Sequence, residues 1–194
     1  QNLLKDITQF ELVINDETML SGLPDEDIAS ARSEALQRDK EGSWVFTISR
    51  SSITPFLQFS NNRDLREKLY SAYTHASDND NEYNNGKIIS EIASLRVKRA
   101  NLLGFPSHAH YMLDDRMAGT PGKVHQLLDQ VWGPTKKRLK QEQRDLQALI
   151  QREGNNFPLR ASDWWYYTEK LRQQRFDLDD AEVKPYFKLE NVRD

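Results

Sequence analysis

Apolar residues recur every three or four positions along most of this 194-residue chain, the spacing of helices that each bury one stripe. Leu3, Ile7, Phe10 and Ile14 mark a first helix, and Ser21-Gly22-Leu23-Pro24 breaks it. Pro24 followed by Asp25, Glu26 and Asp27 starts a second helix that should reach about Asp39. Proline suits a first helical turn, and carboxylates complement its dipole. Trp44-Val45-Phe46-Thr47-Ile48 is β-branched and aromatic, the one credible strand in the pattern. A short helix around Ser52 to Phe59 follows, with Pro55 expected in its first turn.

From Asn61 onward the periodicity is helical throughout. Asn61 or Asn62 caps a helix whose apolar face is Leu65, Leu69, Ala72, Tyr73 and Ala76. Asp78 to Gly86 is a polar loop, and Asn85 then caps a helix carrying Ile88, Ile89, Ile92, Leu95 and Ala100 to a stop at Leu102-Leu103-Gly104. Pro106-Ser107 opens a shorter helix to Ala118. Thr120-Pro121 starts a pattern running to about Glu153, roughly 50 Å if unbroken. Pro134 lies inside it and is expected to kink or break it at Gly133, since proline lacks a donor and clashes with the preceding turn. The spacing predicts a mainly α fold, a single multi-helix segment over residues 1–194 with at most a short strand near 44–48.

Hydrophobic residues make up 37% and charged residues 29%, with a mean hydropathy of -0.81. These values fit long helices with narrow apolar stripes. With 27 cations against 30 anions, the net charge of -3 gives no field for nucleic acid or an anionic membrane. The densest cations, Lys136, Lys137, Arg138, Lys140 and Arg144, are interrupted by Glu142 and Asp145 and read as a solvated helix face. The absence of cysteine excludes disulfides, thiol catalysis and thiolate zinc sites. No apolar run approaches the roughly 20 residues that span a bilayer. The chain begins at Gln1-Asn2-Leu3-Leu4, already inside an apolar pattern, and reads as starting within a helix.

Only four histidines occur: His75, His108, His110 and His125. None belongs to an H-E-x-x-H, which sets two imidazoles on one helix face beside a carboxylate. His108 and His110 point to different helix faces, while His110 and Asp114 have the spacing of a surface metal pair or, the plainer reading, a helix ion pair. His75 and His125 read as structural or exposed. No G-x-S-x-G or phosphate-binding glycine loop is present, and Ser51-Ser52 reads as a helix start. Asp177, Asp179, Asp180 and Glu182 lack the glycine and the distal Glu of a calcium loop, and Asp179 reads as a cap with Glu182 three residues on. Trp164, Trp165, Tyr166 and Tyr167 project all around a helix, so one or two of them should face the core. The residues themselves supply no catalytic or metal-binding constellation and identify no substrate-binding side chain.

Several stretches nevertheless form an ordered set. They are Leu20-Ser21-Gly22-Leu23-Pro24, Asn61 to Tyr73, Ile88 to Gly104, Met117-Ala118-Gly119-Thr120-Pro121 with Val124 and Leu128, Asp163 with the aromatic run, and Pro185 to Leu189. In this order the chain resembles the thimet oligopeptidase and dipeptidyl carboxypeptidase family of zinc metallopeptidases, with most likeness to the bacterial peptidyl-dipeptidase branch. Tyr83-Asn84-Asn85, Ser162 and His108 depart from the family pattern at positions that bear on caps and packing.

The resemblance implies a fragment upstream of the zinc motif. The parent would be a mostly helical peptidase with a deep channel for short peptides, releasing C-terminal dipeptides. Its zinc would sit on an H-E-x-x-H helix and a further Glu beyond Asp194, so no catalytic or metal residue of the family maps onto this chain. The expected partners are the remainder of the same polypeptide and, in the parent, short peptides, with no nucleic acid and no membrane. A monomer in the cytoplasm is expected, the periplasm being the other compartment that fits. The rival reading is a free-standing helical adaptor that binds proteins through the 120–153 helix.

Overall fold

A computed structural model describes residues 1–176 and 184–187. Among the described residues there are eight α-helices and one two-stranded sheet, a mainly α architecture. They fall into two compact units, one of residues 1–9 and 75–144, the other of residues 10–74 and 145–194.

The second unit begins with strand β1 (Leu12–Ile14), which pairs antiparallel with β2 (Trp44–Phe46) in the register Leu12↔Phe46, Val13↔Val45, Ile14↔Trp44. The expected first helix therefore stops short. Helix α1 ends at Gln9, and Phe10 and Ile14 do not continue it. Leu12 and Ile14 are buried and Val13 is exposed, the period of a half-buried strand. The three-to-four spacing that suggested helix is local, and pairing with β2 overrides it.

Helix α2 (Asp25–Gln37) starts one residue after Pro24, as the carboxylate-rich turn predicts, and packs Ala31 and Ala35 toward β2. Helix α3 (Arg50–Phe59) begins earlier than expected, so Pro55 stands in its second turn. Phe56 from α3 meets Phe46 edge to face at 4.7 Å. Asn62 is the residue that caps α4 (Arg63–Thr74), accepting the Leu65 N–H at 3.1 Å. Helix α8 (Trp164–Phe176) packs against α3. A satellite core of Leu146, Leu149, Ile150, Tyr166 and Tyr167 joins α8 to the end of α7 (Pro121–Arg152), with Phe157, Leu159 and Trp164 against it.

In the first unit, α1 (Asn2–Gln9) is tied to the polar loop by Asp6, whose carboxylate accepts the Ser77 N–H at 2.6 Å and the amides of Asn79 and Asn81 at 2.9 and 2.7 Å. Asn85 stands at the N-cap of helix α5 (Gly86–Leu102), as expected, but its side chain accepts from Asn2 rather than from the helix, and Asn84 accepts the Gly86 N–H at 2.8 Å. The helix stops at Gly104 as its sequence predicts, with φ +80 and the Phe105 N–H returning to the Ala100 carbonyl at 2.9 Å. Helix α6 (His108–Leu113) is shorter than the expected run to Ala118.

Helix α7 starts at Pro121 as expected but runs unbroken through Pro134, so the break expected at Gly133 does not occur. The reason is exposure. The turn around Pro134 is largely solvent-exposed, so water can satisfy the carbonyl that lacks its donor. Thr135 adds a hydroxyl bond to the Val131 carbonyl at 2.8 Å. No helix among the described residues is long and apolar enough to cross a membrane. The Asp177 to Glu182 stretch lies outside the described residues.

Candidate functional site

The polar centre of the second unit is built from two stretches about a hundred residues apart, the start of α4 and the turn into α8. Asp163 ends a 3-10 turn (Ala161–Asp163) and is fully buried. Its Oδ2 accepts Arg63 Nη2 at 2.8 Å and the Arg160 N–H at 3.1 Å; its Oδ1 accepts Arg63 Nε at 3.0 Å and Arg66 Nη2 at 3.1 Å. Burial by itself would raise the Asp163 carboxyl. The bonds from Arg63, the Arg160 N–H and Arg66 outweigh it and hold the group below the usual carboxylate range. The hydrogen bond to Asp163 raises the already high pKa of Arg63 further.

Arg66 is 1% exposed. It donates Nη1 to the Ser60 carbonyl at 2.7 Å and lies 4.0 Å from the Tyr166 ring centroid, while its Nε–H meets no acceptor. Arg63 lies 3.8 Å from the Phe157 ring centroid, and Lys170 sits 4.6 Å from that of Tyr166. The Tyr166 hydroxyl donates to Asn61 Oδ1 at 2.8 Å. Beside it Lys170 binds Glu153 at 2.8 Å. Burial opposes the charge on Lys170, and the bonds to Glu153 and Tyr166 more than restore it, raising its pKa. Burial raises the Tyr167 hydroxyl. These side chains line an open cleft of about 380 Å³, whose wall also includes Asn155. The aromatic faces hold the cations by cation–π attraction, while the guanidinium edges of Arg63 and Arg66 are engaged by Asp163 and, for Arg66, by the Ser60 carbonyl.

The cleft unites motifs that the sequence kept apart. Asn61, Arg63 and Arg66 come from the Asn61 to Tyr73 stretch; Tyr166, Tyr167 and Lys170 come from the aromatic run and its helix, with Asp163 buried behind the two arginines. The Leu-Ser-Gly-Leu-Pro turn joins them, because Asn61 donates its N–H to the Ser21 carbonyl at 2.9 Å and its amide to Ser21 Oγ at 3.0 Å. Of the four aromatics, Tyr166 and Tyr167 are core, Trp164 packs beside them and Trp165 lies 5.9 Å from Tyr70. Sequence reasoning did not single out Arg63, Arg66 or Asp163 as one network. Their only local signal was a lone Asp before the aromatics and two arginines three residues apart.

The histidines are not brought together at a metal site. His110 Nδ1 lies 2.8 Å from Ser107 Oγ rather than against Asp114, His108 stacks on Tyr111 at 6.4 Å, and His75 and His125 are exposed. Among the described residues no group of three or more His, Asp or Glu side chains is arranged to hold a metal ion. The donor set here does not fit the tetrahedral nitrogen-and-oxygen site of a catalytic zinc.

Residues 56–194 match the model of peptidase family M3. The chain is 33% identical over 193 residues to a dipeptidyl carboxypeptidase of Escherichia coli K12, covering 99% of this chain and 28% of that protein. Its identity to an oligopeptidase A of Haemophilus influenzae is 33% over 190 residues, 96% of this chain and 28% of that protein. A probable thimet oligopeptidase of Arabidopsis thaliana is 23% identical over 176 residues, 91% of this chain and 24% of that protein. The chain thus spans about a quarter of the length of these relatives. With the family model matched over most of its length, it belongs to peptidase family M3.

Proposed function

We propose that these 194 residues are a helical scaffold and channel-wall segment of a zinc metallopeptidase that cleaves short peptides and releases C-terminal dipeptides. The observation that carries this reading is the similarity to a dipeptidyl carboxypeptidase along 99% of the chain. The chain matches only 28% of that relative, and among the described residues no group of donors fits a catalytic zinc. The zinc ligands and the general base are therefore assigned to parts of the parent outside residues 1–194. The cytoplasm is the proposed compartment and a monomer the proposed state. The adaptor reading is not favoured, since the relatives across the whole chain are peptidases.

The test compares the 194-residue chain with the full-length parent after dialysis against chelator-free buffer. The parent should retain one zinc per chain and release C-terminal dipeptides from a short peptide, with loss on chelation. The 194-residue chain should do neither. Tightly held stoichiometric zinc or chelator-sensitive turnover in the short chain would overturn the assignment. Cleavage by the parent only within the peptide interior would overturn the dipeptide specificity alone.

A further inference from the structure

Asn85-Gly86 is the one Asn-Gly step in the sequence, and the fold sets it where the polar 78–86 loop turns into α5. Gly86 is exposed and Asn85 half-buried. Glycine has no Cβ and the freest backbone of any residue, so nothing shields its nitrogen when it swings toward the neighbouring side-chain amide.

The folded cap keeps these two groups apart. Asn85 has φ -97 and ψ 0, and at ψ 0 the Gly86 nitrogen eclipses the Asn85 nitrogen instead of its Cβ branch. The Gly86 N–H donates to Asn84 Oδ1 at 2.8 Å, and Asn85 Oδ1 accepts from Asn2 at 3.2 Å. The Asn85 carbonyl accepts the Ile89 N–H at 2.9 Å, a bond that a turn of ψ breaks. Asn84 is itself held by its amide on the Asn79 carbonyl at 2.9 Å, within an exposed loop. All of these restraints lie at the first turn of a helix, where N–H groups lack intrahelical partners and local opening costs least.

We propose that Asn85 is a site of spontaneous deamidation, restrained by the α5 cap and released when that cap frays. With the cap open, the Gly86 N–H gives its proton to solvent and the nitrogen bonds to Asn85 Cγ. The Cγ–Nδ2 bond breaks, and the amide nitrogen takes a proton and leaves as ammonia. Water then opens the five-membered succinimide at either carbonyl. One opening leaves aspartate; the other carries the main chain through the side-chain carboxyl, as isoaspartate. The net change is hydrolysis of one amide by one water, with no oxidant or cofactor. Aspartate puts a carboxylate at the start of α5, where the helix dipole favours it, and keeps an acceptor for Asn2. Isoaspartate lengthens the main chain and draws that acceptor away, loosening α1 from α5. The inference uses only residues of the first unit, so it stands or falls separately from the peptidase reading.

The experiment ages the full-length parent at constant neutral pH and temperature. Peptide mapping resolves asparagine, aspartate and isoaspartate at each position, and a synthetic peptide of residues 78–92 supplies the unrestrained rate. Asn85 should convert ahead of every other asparagine in residues 1–194, to both products, and more slowly than in the peptide. Asn84→Ala should speed the folded protein about fivefold, the factor for one ordinary hydrogen bond, while the same change leaves the peptide rate unaltered. Asn2→Ala should act in the same direction. Gly86→Ala should slow conversion in protein and peptide alike, because a methyl group then stands beside the attacking nitrogen. Circular dichroism confirms that each variant remains folded. Earlier conversion at another asparagine, a folded rate equal to that of the peptide, or no acceleration by Asn84→Ala would overturn the proposal.

Discussion

Arg66 and Asp163 stand 97 positions apart in the chain and 3.1 Å apart in space, both with side chains at most 2% exposed. Neither charge has water to turn to. Their pairing fixes the start of α4 against the turn that launches α8, and it ties two of the motifs that mark the family into one body.

Replacing Asp163 with Asn should therefore destabilise the chain by about 3 kcal/mol, because it leaves the Arg66 charge buried without a counter-ion. Arg63→Gln should cost less, since that side chain is 25% exposed and water can replace part of what is lost. Urea unfolding of the two variants against the parent chain measures both. A loss under about 1 kcal/mol for Asp163→Asn would show that the pair behaves like a surface ion pair.

Acid should act through the same residue. The folded carboxyl of Asp163 is held below its ordinary value, whereas in the unfolded chain it titrates near pH 3.9, as ordinary Asp does. As pH falls, the unfolded chain takes up this proton first. The stabilisation is thus complete above about pH 5 and is lost progressively as pH drops through the unfolded value toward the folded one. Asp6 is shifted in the same direction, chiefly by the Ser77 N–H, and adds to the slope. Stability measured at successive pH values should fall more gently below about pH 5 in Asp163→Asn than in the parent chain. Identical slopes would remove Asp163 from the account.

Gly22 should tolerate no side chain. Its φ is +89, and an added Cβ would meet the Phe59 carbonyl and stand 2.8 Å from Asn61 Cγ. Gly22→Ala is expected to cost about 2 kcal/mol or more, combining left-handed strain with displacement of Asn61 from Ser21. Gly42 has a similar φ of +84 but open space around it, so Gly42→Ala carries the strain alone. Thermal melts should rank Gly22→Ala clearly below Gly42→Ala; the reverse order would refute the close-approach argument.

Pro134→Ala should strengthen α7. The new N–H can complete the ladder to the Gln130 carbonyl and the ring clash disappears, a gain of about 2 kcal/mol after the greater freedom of the unfolded alanine is subtracted. Amide exchange across residues 130–138 should slow. Unchanged protection would mean that the proline is accommodated without strain.

The sequence by itself determined a good deal. The mainly helical class, the start of α2 after Pro24, the stop of α5 at Gly104 and the start of α7 at Pro121 were legible because caps, prolines and 3.6-residue periodicity act within a turn or two. The family was legible too, through motifs whose order survives translation into a string. Tertiary structure alone decided the rest. Leu12 to Ile14 became a strand because Trp44 to Phe46 offered an edge some thirty residues away. Pro134 failed to break α7 because its surroundings are wet. Arg63, Arg66 and Asp163 became one network because folding removed water from charges that, along the chain, look like ordinary surface residues. Local propensity is written residue by residue. Desolvation and long-range pairing depend on what the folded chain places alongside, and no window of sequence contains that.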